Sequence, residues 1–390
     1  RFKLENFVSS GYLLIAAAVL GLLLSNLPTH QAVDSFINTT FDYHFFRFTV
    51  DNIVEEGLLT IFFLNVGLYL KHEFIFGPFN NPKKAALPII AATGGVIVPT
   101  VIFTIVALST SNSEIMSGWA IPSVTDIALS LAVLSFAIGK IKSASSSHIK
   151  TFLMTLAVAD DIFGIIIIAL FYSKTLYLPN LFFSILLVAV WSIFSRFDPK
   201  AKWLILAPVA ILSWLFMLES GVHTAIVGVL LGFTVNSSPK KGNWKSRIVK
   251  YEKISALVSG LIVLPVYIFF KMNINFAEIF GNLVSQSSSS HSNQMPVLML
   301  AIVLGLLIGK PFGIITFSRV SNRFTPFKLD KSISSRSLSG IGALAGIGFT
   351  VSFLIADLSY ASSVTVAAAR LAIIIGSLIS AAIGFAIFKR

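Results

Sequence analysis

Cysteine is absent from the 390 residues, which excludes disulfides, thiolate metal sites and cysteine nucleophiles. Charge is scarce as well. Asp, Glu, Lys and Arg make up 12% of the chain against 55% hydrophobic residues, and the mean hydropathy is +0.86. So little charge does not furnish a water-facing surface, so the composition is that of an all-α polytopic membrane protein. Zinc-binding and serine-nucleophile constellations are also missing, so the chain does not read as an enzyme, and no cofactor is expected.

What is present is a series of apolar runs, each near the ~20 residues that a membrane helix needs. The chain divides into twelve of them, at about 11–28, 55–71, 85–108, 119–139, 149–173, 177–195, 203–218, 220–236, 254–271, 295–318, 336–358 and 364–388. No small-residue cleavage site follows the charged opening Arg-Phe-Lys-Leu-Glu-Asn, so the first run reads as a retained helix rather than a signal peptide. The net charge of +12 suggests nucleic acid until the basic residues are placed. With the N-terminus inside, 24 of the 29 Lys and Arg fall in inside segments, only Arg47, Lys174 and Lys271 fall outside, and Lys310 and Arg370 lie within runs. This asymmetry is the positive-inside pattern: both termini are cytoplasmic, and no nucleic-acid role is expected.

Residues 1–390 therefore read as a single transmembrane domain. Its aromatic and β-branched stretch at 29–54 is an external loop or hairpin, and 237–253 is a basic cytoplasmic segment. Within that segment, 240–253 reads as a surface helix attracted to anionic membrane lipid. The run Ser285-Gln-Ser-Ser-Ser-Ser290 reads as a solvated loop.

Two runs are unlike ordinary membrane helices. Residues 118–130 place Pro122, Ser123, Thr125 and Asp126 at mid-span, and residues 340–352 are rich in glycine and hydroxyls. Unwound backbone at membrane depth is tolerated only where it is buried in protein or lines a wet cavity. Paired interruptions in two halves point to a transporter site, with runs 3–5 and 10–12 as inverted repeats. The alternative is close helix packing, as in Gly305-xxx-Gly309-xxx-Gly313.

Asp160 and Asp161 stand side by side in a long apolar run. A charged residue at the centre of a bilayer helix costs roughly 2.5–3.5 kcal/mol on insertion scales, so such groups are retained for use. Successive helix residues point about 100° apart, so one carboxylate can face a cavity while its neighbour meets a partner. Adjacent carboxylates in low dielectric do not easily both ionise, and their titrations couple. Such a site holds either a proton or a small hard cation, with Thr125, Ser123 or unwound carbonyls completing an oxygen shell. Mutual exclusion at one site, reached alternately from each face, is sufficient for exchange. Asp126 beside the first interruption is read chiefly as compensation for the positive ends of half-helices. Lys310 either offsets a negative end or pairs with an aspartate; snorkelling to the interface is the bland alternative. Arg370 caps or pairs near the outer face, with no role assigned.

These residues, in Ala-Val-Ala-Asp160-Asp161-Ile-Phe-Gly-Ile-Ile-Ile-Ile, Gly-Trp-Ala-Ile-Pro-Ser-Val-Thr125-Asp126-Ile-Ala, Ile-Gly-Lys310-Pro-Phe-Gly-Ile and Gly-Ile-Gly-Phe349-Thr350, closely resemble NhaA-type sodium/proton antiporters from about residue 55 onward. That family is itself a standing example of inverted repeats, so the repeat reading is not independent of the resemblance. The resemblance implies twelve helices with crossed, interrupted fourth and eleventh spans. It implies export of sodium or lithium for protons, two protons per sodium, across a bacterial inner membrane, and often a homodimer joined partly through the first external hairpin. Asp161 would be the main cation and proton carboxylate, holding the metal transiently. Asp160 would carry a proton and pair with Lys310, and Asp126 and Thr125 would support the crossing. Glu252 matches a position linked to pH activation, with Glu73 and His223 as further pH-response candidates; His223 is more simply a packed polar group.

Several positions depart from the family pattern. Tyr69 and His72 stand where a glutamate and an arginine are usual, Lys253 and Ala256 where enterobacterial members carry histidines, and Phe270-Lys271-Met-Asn273 where an Ala-Asn-Ala-Gly stretch is usual. These changes spare the transport core and imply altered pH dependence. Two competing readings remain: a sodium-coupled organic-anion carrier of the same architecture, and a non-transporting or regulatory relative. The first would not need paired aspartates with an intramembrane lysine, and the second would lose costly buried charges first.

Overall fold

The structure is a computed structural model that describes residues 11–43, 46–110, 113–139, 144–173, 176–195, 202–235, 244–286, 294–330 and 332–389. The opening residues 1–6, the stretch 237–243 of the basic segment and the serines at 287–290 lie outside the described residues.

Among the described residues the regular structure is helical apart from one hairpin. Helix α1 (Tyr12–Asn26) bends by 111° into α2 (His30–Ile37), and β1 (Thr40–Tyr43) then pairs antiparallel with β2 (Phe46–Thr49). The long helices α3 (Val50–Ile75) and α4 (Pro82–Ala107) follow. Next come α5 (Ser113–Met116), α6 (Ile127–Ile138), α7 (Ala144–Phe171), α8 (Leu178–Phe194), α9 (Lys202–Glu219) and α10 (Ala225–Thr234). Last are α11 (244–271), α12 (Phe276–Gln286), α13 (Gln294–Phe324), α14 (Ser335–Ala345), α15 (Phe349–Ser359) and α16 (Ser363–Lys389).

Among the described residues, six helices are long and apolar enough to cross a membrane, three further candidates are bent pairs, and three are shorter apolar helices. One boundary differs from the sequence reading. The stretch from Trp244 is no separate surface helix: it runs directly into α11. Nothing between Trp244 and Ser259 breaks a helix, since the stretch contains neither proline nor glycine.

Three of the long helices contain a π-turn: Ile53–Leu58 in α3, Ser259–Val263 in α11 and Gly305–Gly309 in α13. The last ends one residue before Lys310. Such turns insert one extra residue and are common at functional positions.

The packing that carries α13 to the centre is built on small residues. A Cβ on Gly313 would collide with the carbonyl oxygen of Gly94 on α4, and a Cβ on Gly309 would lie 2.6 Å from Pro99 Cα. Both glycines thus serve close helix approach, the packing alternative raised by their spacing. With no hydrophobic drive between helices in lipid, such backbone contact is how they associate.

This yields a direct test. Gly313→Leu forces α4 and α13 apart and lowers stability by about 1–3 kcal/mol or more, read as a fall in melting temperature of the detergent-purified protein. Gly281→Ala, whose added methyl meets nothing within 4 Å, leaves the melt within about 0.5 kcal/mol of the parent. An equal effect of the two substitutions would contradict the packing account.

Candidate cation-binding site

The site forms where two chain breaks lie against each other. The first falls between α5 and α6. Pro122 has no N–H to continue a helix, so a single 3-10 turn at Ile121–Ser123 gives way to extended backbone at Val124 and Asp126. The second is the stretch Gly346-Ile347-Gly348 between α14 and α15. Each break bends its pair of helices by 44°.

Every break exposes helix-end groups that need partners in a dry interior, and here each break supplies them to the other. Asp126 N–H donates to Ile347 O at 2.6 Å. Thr125 Oγ1 lies 2.8 Å from Ala345 O, and Ser130 Oγ donates to Leu344 O at 2.9 Å. In return, Ser352 Oγ donates to Ile121 O at 2.8 Å.

Asp126 caps two helices at once. Its Oδ1 accepts from Leu129 N–H at 3.1 Å in the first turn of α6, and its Oδ2 accepts from Thr350 Oγ1 at 2.8 Å and Thr350 N–H at 3.3 Å in the first turn of α15. A carboxylate at a helix start satisfies orphan N–H groups and offsets the positive dipole end. The structural reading of Asp126 is therefore the one its geometry serves.

Lys310 and Asp160 are both 0% exposed, with Nζ 2.6 Å from Oδ2. Lys310 also donates to Thr125 Oγ1, which itself lies 2.6 Å from the same Asp160 oxygen. Of the two readings of Lys310, pairing with an aspartate is the one found. All of Asp160's contacts fall on Oδ2. Its Oδ1 is buried and has no hydrogen-bond partner among the described residues.

Asp161 is 8% exposed. Its neighbour is fixed by an ammonium and a hydroxyl, whereas Asp161 has no hydrogen bond or ion pair with the described residues. Two acidic groups at adjacent positions are thus left with unpaired oxygen among the described residues: Asp160 through its Oδ1, and the Asp161 carboxyl. A group so placed binds something from outside the chain or keeps a proton. Gly95 of α4 faces this place: a Cβ there would lie 3.9 Å from Asp160 Oδ1, an ordinary contact distance, and 3.1 Å from Ile314 of α13.

The remaining sequence candidates divide. Ser123 spends its hydroxyl proton on Ala120 O at 2.6 Å and does not join the aspartates. Glu252 on α11 lies 3.8 Å from His72 on α3, and Glu73 on α3 is buried nearby in sequence. His223 is buried at the start of α10, where its Nδ1 accepts from Ala225 N–H at 3.1 Å and its Nε2 is 4.0 Å from Glu56; that is a packed polar group. Thr350 enters the sequence reading only as part of a motif, with no role, and Asp357 does not enter it. A hydroxyl just after the Gly346-Ile347-Gly348 break was the signal for Thr350, and Arg370 for Asp357, which it binds at 3.0 Å.

Comparison with known proteins fits this geometry. The family model described as Na+/H+ antiporter 1 matches residues 2–388. A Na(+)/H(+) antiporter NhaA of Mycolicibacterium smegmatis is 37% identical, covering 95% of this chain and 83% of its own length. One of Bifidobacterium longum is 35% identical, over 98% and 82% respectively. One of Haemophilus influenzae is 33% identical, over 100% and 94%.

The buried pair makes its own prediction. Removing either partner strands a charge, so Asp160→Asn or Lys310→Met alone lowers stability by about 3–5 kcal/mol. The double substitution loses less than the sum by about 1 kcal/mol or more. Thermal unfolding of the four purified proteins measures this; additive losses would refute the pairing.

Proposed function

Because the chain belongs to the Na+/H+ antiporter 1 family, we infer that it is an integral membrane antiporter exchanging sodium for protons, and we propose that Asp161 with Asp160 is where the two ions compete. One observation supports this most directly: Asp161 has no hydrogen bond or ion pair among the described residues, while the adjacent Asp160 is held by Lys310 and Thr125.

In this reading a sodium or lithium ion is taken by oxygen ligands, as suits a hard cation. The Asp161 carboxylate and the free Oδ1 of Asp160 are the charged ones. Protonation of Asp161 removes the charge that holds the metal, so the proton and the metal displace each other. Lys310 holds Asp160 Oδ2 through its ammonium. When Asp160 takes a proton, its grip on Lys310 loosens, which gives a route for a second proton and for electrogenic exchange of two protons per sodium. The double cap on Asp126 joins the starts of α6 and α15, so a shift of one half-helix is passed to the other and access alternates.

The finer architecture belongs to the same proposal: twelve spans, inverted repeats, and α5–α6 crossing α14–α15. The six long helices, three bent pairs and three shorter apolar helices match twelve in number. The placement is a bacterial inner membrane with both termini cytoplasmic. A homodimer joined through β1 and β2 fits as well, because a two-stranded ribbon leaves unpaired backbone groups along both edges. Glu252, with His72 and Glu73, is the preferred place for a pH response, and the unusual Tyr69 and His72 are why we expect a pH profile unlike that of better-matched relatives.

Reconstitution tests the core claim. Proteoliposomes with an imposed pH gradient should lose it on sodium addition, faster when a membrane potential favours net charge movement. Asp161→Asn should slow this by about a hundredfold or more, equivalent to ~2.7 kcal/mol. Sodium-driven proton movement that persists in the Asp161→Asn protein would sink the reading.

A further inference from the structure

A second set of buried charges lies away from the aspartate pair. Lys271, at the end of α11, is 1% exposed, and its Nζ is 3.0 Å from each of Asp51 Oδ1, Glu55 Oε2 and Asp357 Oδ2. Asp51 and Glu55 sit one turn apart at the start of α3, and Asp357 is in the last turn of α15. Arg370 of α16 holds the other oxygen of Asp357, with Nε at 3.0 Å. Four elements are joined through one ammonium and one guanidinium.

The cluster borders a cavity of about 490 Å³ whose wall also carries Asp34, Glu278 and His30. Five carboxylates against Lys271 and Arg370 make it a cation-attracting space. By the distribution of basic residues, it faces the outer side.

Helix α15 connects this cluster to the ion site. Its inner end is held by Asp126 through Thr350, and its outer end by Lys271 and Arg370 through Asp357. Those two points are seven residues apart, about 10 Å along the axis at ~1.5 Å per residue. Thr350, Phe353, Leu354 and Asp357 recur at helical spacing on one face, and Phe353 and Leu354 between them are fully buried.

The way the charges are shared is informative. If α15 moves away with α16, Lys271 keeps Asp51 and Glu55, and Asp357 keeps Arg370. Neither charge is stranded, so this contact parts without the penalty that normally locks a buried pair. A purely structural tie gains nothing from such redundancy.

We propose that Lys271 is an ionic latch: it holds the outer end of α15 against α3 and α11, closes the passage from the cavity to Asp161, and releases Asp357 when the site opens outward. The proposal rests on the antiporter reading, because only an alternating site needs this passage to open and close.

The absence of cysteine makes the test clean, because Phe353→Cys gives a single thiol between cavity and ion site. A membrane-impermeant maleimide added outside right-side-out vesicles should label it slowly. Adding Lys271→Gln should speed labelling about tenfold or more by populating the open form. An unchanged rate in well-assembled Lys271→Gln protein overturns the latch. Should that variant fail to accumulate, Asp51→Asn with Glu55→Gln leaves Asp357 as the one carboxylate of the cluster still facing Lys271, so release strands the ammonium; labelling should then slow by about tenfold or more, and an unchanged or faster rate again overturns the proposal. Labelling needs no transport, so sodium–proton exchange by the unsubstituted chain, measured separately, tells failure of the latch from failure of the antiporter reading.

Discussion

Lys310 meeting Asp160 in a fully buried position is the contact on which the rest depends. An ammonium and a carboxylate at that depth are tolerable only together, and their meeting decides what remains for Asp161. Adjacent residues on α7 point about 100° apart, so the lysine that takes Asp160 Oδ2 does not also satisfy Asp161. The pair is asymmetric: Lys310 and Thr125 hold one oxygen of Asp160, and Asp161 has no hydrogen bond or ion pair among the described residues. The height of Lys310 follows from α13 lying flush on α4, where Gly309 meets Pro99 and Gly313 meets Gly94.

The two chain breaks show how irregular backbone persists inside such a protein. Each break satisfies only part of its own helix ends. Side chains from one serve carbonyls of the other, through Thr125, Ser130 and Ser352, while Asp126 serves the N–H groups of both. The junction is therefore stable as a unit and vulnerable as a unit. Thr125 belongs to both jobs, since its hydroxyl lies between Ala345 O and the Asp160 carboxylate. Backbone repair and the buried Lys310–Asp160 pair share an atom.

Much of this was legible in the residues. Asp160 and Asp161 stood out because charge is expensive in an apolar run, and Pro122 and the 346–348 glycines announced the breaks because they remove a donor and a side chain. The family resemblance supplied the roles of Lys310 and Thr125 that residue types left open. What did not show was partnership at long range. Nothing local says that Asp126 reaches Thr350, 224 residues away, or that Lys271 meets acids from α3 and α15. Those contacts depend on how helices are laid together, which periodicity does not encode. The fate of 244–253 was misjudged for a related reason: a basic composition described its surroundings, and the backbone simply continued.

One feature of α13 sets the bearing of its lysine. The π-turn at Gly305–Gly309 ends just before Lys310. An inserted residue of this kind offsets everything after it by one step of the helix, roughly 100° about the axis and ~1.5 Å along it. Without that extra residue the same sequence would aim the ammonium at a different quarter of the interior, so the meeting of Lys310 with Asp160 is written partly in a backbone irregularity one turn earlier.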